Sequence, residues 1–213
     1  MRTLFVSLLT LLLTACASTA TPAAETPPPP IIRVHASTAA QPWLEQVYAC
    51  GQTTHNLIIL SVSESAADVR LRVGEPPSLT GPAYQIGSED LLIVTGRTSP
   101  LQNLDAAQAR ALFSQGQAGI QLWMYASGED IQQVFERQVM QSTGIHSLAR
   151  LAAHPQEILG AINNDPATVG LLTGHWKAAS LRVIYTLPGL PVLAIPTAEV
   201  SGALKDLLAC LMD

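Results

Sequence analysis

From residue 31 to the C-terminus, short β-rich apolar runs alternate with stretches of helical periodicity, and that alternation limits the fold more than any other feature. Residues 31–35 alternate and read as a strand. Trp43, Leu44, Val47 and Tyr48 then recur at helical spacing over 42–50, with Ser37 or Thr38 as the cap and Pro42 tolerated in the first turn. After a turn at 51–56 come strands over 57–62 and 68–73, and a proline- and glycine-rich loop over 75–82. Further strands fall at 84–87, 90–95, 120–125, 168–173, 181–185 and 192–195. Helices are expected from Asp105 to about 114, from Ser127 to about Met140, from Pro155 to about Asn163, and over 200–212. The pattern predicts an α/β domain with a largely parallel sheet and helices on its faces. Such sheets bind ligands beyond the carboxyl ends of their strands, often at helix N-termini.

The first sixteen residues belong to a different kind of segment. Arg2 precedes an apolar run over 4–13, about ten residues, the length of a signal h-region and too short to span a bilayer. Leu13-Thr14-Ala15-Cys16 resembles the lipobox of bacterial lipoproteins, in which the cysteine becomes the lipidated first residue. Residues 1–15 are therefore expected to be a signal peptide and Cys16 the lipid attachment site. Residues 16–30 hold Ala, Thr and a run of four prolines at 27–30, with no apolar periodicity. They read as a semi-rigid tether. The expected location is extracytoplasmic, at a membrane surface, with the folded domain over 31–213.

Charge and cysteine content narrow the function. Eleven Lys and Arg face 16 Asp and Glu, for a formal net charge of -5, and no basic cluster occurs. Nucleic acid is excluded as an expected partner. With Cys16 assigned to lipid, Cys50 and Cys210 remain, either as a disulfide suited to an oxidising compartment or as two buried thiols. The five histidines are scattered, so neither a metal site nor another cofactor is expected. There is no Gly-x-Ser-x-Gly and no acid–base pair at helical spacing, so no catalytic residues are assigned and an enzyme is not expected.

Four stretches resemble type 2 periplasmic binding proteins, in particular the phosphate-binding-like solute receptors of ABC transporters. They are IIRVHASTA at 31–39, ADVRLRVGEP at 67–76, DLLIVTGRTSPLQNLDAAQARALFS at 90–114 and NDPATVGLLT at 164–173. The resemblance implies a compact, shortened, two-lobed α/β fold. Lobe 1 would span about 31–92 and 192–213, and lobe 2 about 93–191. It implies a small solute held in the cleft, possibly an oxyanion, an ABC permease as partner, and a monomer anchored to the membrane by its lipid. It also brings the last helix beside the first, which places Cys210 near Cys50. The alternative is a degenerate binding fold that serves as an accessory, protein-binding lipoprotein without a small ligand.

By the same resemblance Ser37, Thr38 and Ala39 match one ligand-binding segment, and Ser127 and Gly128 match a second. Relatives carry Ser-Gly-Thr at the second segment, where this chain has Ser127-Gly128-Glu129 followed by Asp130. Two carboxylates there repel a phosphate, and Ser127-x-x-Asp130 is itself a capping pattern. The link between the second and third strands, 63–67, is too short for the helix that relatives place there. Ser63 is retained as a contact that could still face the cleft, and Arg72 and Arg97 as possible sources of positive charge.

Overall fold

The computed structural model describes residues 28–213; the expected signal peptide, Cys16 and most of the expected tether lie outside the described residues. Eight strands form one sheet in the order β2-β1-β3-β8-β4-β7-β5-β6. They are β1 (Ile31–Ala36), β2 (Leu57–Leu60), β3 (Val69–Val73), β4 (Tyr84–Gly96), β5 (Leu122–Tyr125), β6 (Arg150–Ala152), β7 (Val169–Thr173) and β8 (Leu181–Pro196). Five α-helices accompany them: α1 (Leu44–Thr53), α2 (Ala106–Gln115), α3 (Asp130–Phe135), α4 (Pro155–Asn164) and α5 (Gly202–Met212).

The sheet is mixed, which corrects the expectation of largely parallel strands. β1 is parallel to β2 and β3, and β5 to β6 and β7, but β4 and β8 run antiparallel to each other and to their outer neighbours. The correction has one cause. Residues 84–87 and 90–95 are not two strands but parts of β4, and 181–185 and 192–195 are parts of β8. The long strands cross the molecule side by side, with Ser88 opposite Pro191 and Glu89 opposite Leu190. Register shifts fall near Gly87 and Glu89, and Gly189 takes φ +73° with its amide donating to Asp90 Oδ1 at 3.0 Å. Pro188-Gly189 marks a bulge in a continuous strand. One half of the sheet, β2-β1-β3, thus joins the other, β7-β5-β6, through β4 and β8.

The short link between β2 and β3 follows from register. Val34 of β1 is level with Leu60, the last residue of β2, and also with Val69, the first of β3. The chain leaves one strand and enters the other at the same height. It has only to step sideways over β1, about 10 Å at the usual strand spacing, so no return helix is needed. A single 3₁₀ turn at Glu64–Ala66 suffices.

Side-chain burial follows the strand and helix patterns. Val69, Leu71 and Val73 face inward from β3, and β7 is buried along its whole length. α1 packs on α5, and Cys50 is bonded to Cys210 with their Cα atoms 5.8 Å apart. That bond closes a separation of 160 residues and ties the end of the chain to its first helix. In the second half Phe113 of α2 meets Phe135 of α3 edge-on, ring centres 4.8 Å apart.

Candidate functional site

Two concavities adjoin each other. The larger, about 1030 Å³, opens beneath the 76–82 loop, and its walls come from the first half and from β8 and the residues after it. The smaller, about 400 Å³, has walls from both halves: Ser37, Thr38 and Arg72 on one side, Gly128, Glu129 and Asp130 on the other. Only the second contains a buried charged side chain, Asp130, which is 4% exposed.

Local structure explains how that carboxylate is held. β1 ends at Ala36, and the Ser37 amide donates to the Leu71 carbonyl at 3.0 Å, which fixes the turn beside β3. Ser37 caps the 3₁₀ helix Thr38–Trp43, its Oγ accepting from the Ala40 amide at 3.3 Å. The same hydroxyl donates to Asp130 Oδ2 in the other half. The Val73 amide, at the end of β3, donates to that oxygen at 2.7 Å, and the Ile131 amide donates to Oδ1 at 2.7 Å. Burial pushes the Asp130 carboxyl above its ordinary range, opposed by these three bonds and by the Arg72 charge.

Other contacts brace the same seam. Arg72 donates through Nη2 to Gln133 Oε1 at 3.3 Å and through Nε to the Gly74 carbonyl at 3.0 Å. Its guanidinium is held below its usual range, chiefly by burial. Arg137 donates to the Glu75 carbonyl at 2.7 Å. Gly74, at φ +76°, lies so close to α3 that an added Cβ would stand 2.4 Å from Val134 Cγ2. Burial, reinforced by Glu129 and Asp130, raises the Tyr125 hydroxyl far above its usual range.

A second carboxylate spans the halves at the level of the long strands. Glu89 of β4 is buried, and its Oε2 accepts from Trp43 Nε1 at 3.4 Å and is paired with His175 Nδ1. Its Oε1 accepts from the Asp90 amide at 3.1 Å. Trp43 closes the 3₁₀ helix that Ser37 opens, so one short element carries both contacts.

The structure brings Ser37, Thr38 and Gly128 to one cavity and leaves three other expected contacts out of its wall. Ala39 is buried at 3% exposure among core residues. Ser63 is exposed and shares a hydrogen bond with Ser65 Oγ at 2.8 Å. Ser127 is exposed and does not cap α3; Glu129 holds the N-cap position without a side-chain bond. Asp130 does more than cap, since two of its three donors lie 57 and 93 residues away in sequence. The helix expected from 127 to 140 begins at Asp130 and turns π-helical over Glu136–Met140. Arg97 is engaged elsewhere, with Nε donating to the Ala179 carbonyl at 2.7 Å. The contributions of Val73 and Glu89 leave no pattern in sequence, one being a backbone amide and the other a lone carboxylate within a long strand. Among the described residues no group of three or more His, Cys, Asp or Glu side chains is placed to hold a metal ion. Among them, too, no helix is long and apolar enough to cross a membrane.

Comparison with known proteins places the fold. No family model matches the chain, and no curated protein matches it. Solved structures do. A substrate-binding protein ascribed to a phosphate ABC transporter, with phosphate bound, from Clostridium perfringens is similar at TM-score 0.72 and 11% identity, over 86% of this chain and 93% of that one. An ABC-type phosphate transport receptor from Vibrio cholerae is similar at TM-score 0.66 and 13% identity, over 85% and 93%. The CcmR regulatory domain of Synechocystis PCC6803, in complex with 2-PG, is similar at TM-score 0.63 and 15% identity, over 85% and 95%. The chain has a type 2 periplasmic-binding-protein-like fold.

Proposed function

We propose that this chain is a membrane-anchored, extracytoplasmic solute-binding protein that takes a small solute between its two lobes and presents it to an ABC permease. Lobe 1 is the half built from about 31–92 and 192–213, and lobe 2 the half from about 93–191. The observation that carries the reading is the 400 Å³ cavity whose walls come from both halves, between which the backbone crosses only in the long strands β4 and β8, a pair that can act as a hinge. The fold likeness to transport receptors supports it, as does the lipobox-like leader ending at Cys16. The role is binding, not catalysis. Phosphate is disfavoured as the solute, because Glu129 and Asp130 sit where the dianion would approach. The test is thermal unfolding of the full chain in detergent against amino acids, sugars, oxyanions and metal ions. One class is expected to raise Tm by a few degrees at saturating concentration. A well-folded protein that responds to none of them contradicts the proposal.

A second reading, an accessory lipoprotein that binds another protein and no small solute, is favoured by one observation. Asp130, Arg72 and Arg137 already bridge the halves with the protein's own groups. It predicts silence across the solute panel together with a stable protein partner.

A further inference from the structure

We infer that Asp130 is an internal ligand: its carboxylate occupies an oxyanion position between the two halves, defined by the Ser37 hydroxyl and the Val73 and Ile131 amides, and keeps external oxyanions out of it. The inference deepens the reading of this cavity as the solute cleft and fixes what the cleft accepts there. The remaining space serves a solute that makes no use of these three donors.

The coordination supports this. Three donors converge on two oxygens at hydrogen-bond distance, two of them from the far side of the cleft. A residue that only capped α3 would need just the local Ile131 contact. Nor is the carboxylate paired head-on with a cation. Arg72 contributes at longer range, with two of its donors directed to Gly74 and Gln133 and none to Asp130. The carboxylate is thus bound much as a planar anion is bound by hydroxyl and backbone N–H donors. A group that reaches across from one half also draws the halves together, as an external solute would.

An account in which Asp130 is only a structural pin makes a different prediction when the side chain is removed. The Asp130→Ala variant exposes a vacated planar site with its three donors intact. Formate or acetate supplied in solution should fill it and raise the Tm of the full-chain variant by about 5 °C near saturation. Chloride should not, and the wild-type chain should respond to neither carboxylate. Phosphate should be the weaker probe, because Glu129 remains at the cavity wall. A folded variant that formate and acetate stabilise no more than chloride overturns the inference. So does a wild-type chain stabilised to the same degree.

If Asp130→Ala does not fold, the wild-type chain decides through hydrogen exchange at the Val73 amide. Exchange as slow as that of neighbouring ladder amides of β3 supports the internal ligand, since this proton is held by Asp130. Exchange at the rate of an exposed amide overturns it. A failure of the solute panel on the wild type leaves these outcomes unaffected, so the two proposals can fail separately.

Discussion

The two carboxylates that bridge the halves differ in what holds them. Asp130, at the cleft, is bound by a hydroxyl and two backbone amides, none of which titrates near neutral pH. Glu89, at the crossing of the long strands, is bound by two side chains, the Trp43 indole and the His175 imidazole, and by one adjacent amide. Both contacts hang on the ends of one short element, Ser37 at its start and Trp43 at its close. Gly87 takes part in the second, since a Cβ there would stand 2.1 Å from the Trp43 ring. One contact joins the halves across the cavity, and the other joins them beside the long strands.

Removing each in turn separates these roles. Asp130→Ala strips the partner from two buried amides and a hydroxyl, and should cost about 3 kcal/mol in chemical denaturation without added anion. Glu89→Gln keeps the shape but leaves one acceptor oxygen where Trp43 and the Asp90 amide each use their own, and it loses the charge that His175 faces. A loss of about 1–2 kcal/mol in chemical denaturation is expected. Ser37→Ala removes a cap and one bond to Asp130 while leaving the Val73 bond, and should cost about 1 kcal/mol. Equal losses for Ser37→Ala and Asp130→Ala would place the whole effect in the cap and not in the bridge.

The smallest effect is a pH difference. The folded Asp130 carboxyl lies above its ordinary range because burial disfavours the ion. Below the unfolded value, roughly pH 4, both states are protonated and burial of the group carries no ionisation penalty. As pH rises through the window between the unfolded and folded values, the folded state loses relative stability. The stability of the wild type minus that of Asp130→Asn should therefore fall as pH rises above the ordinary carboxylate range. Denaturant midpoints of both proteins at several pH values check the sign, and a difference that grows with pH contradicts it.

Much of the architecture was legible because it depends on local periodicity. β1, β3, β7, α2, α4 and α5 stand close to where apolar spacing put them, and the Cys50–Cys210 bond joins the two cysteines outside the leader. The errors cluster where tertiary pairing overrides local signals. The gap expected between the strands at 181–185 and 192–195 is closed, because β4 offers that segment a continuous partner. Three-residue β6 is too short to carry a pattern and exists by pairing with β5. At the cleft, Ser37 was legible as a cap. The identity of what it meets was not, because Asp130 lies 93 residues away and its pairing depends on how the halves close. The acidic pair Glu129-Asp130 was the visible trace of that departure.

The central claim is that the cavity between Thr38 and Gly128 receives a solute. Gly128 lines it, and a Cβ added there meets nothing within 4 Å, so a bulky side chain can enter the space without displacing the backbone. The decisive measurement is thermal unfolding of the full chain and of Gly128→Trp against the same solute panel. The account predicts one solute class that raises Tm in the wild type and loses that effect in the filled variant. A shift of equal size in both proteins, or none in a well-folded wild type, would contradict it.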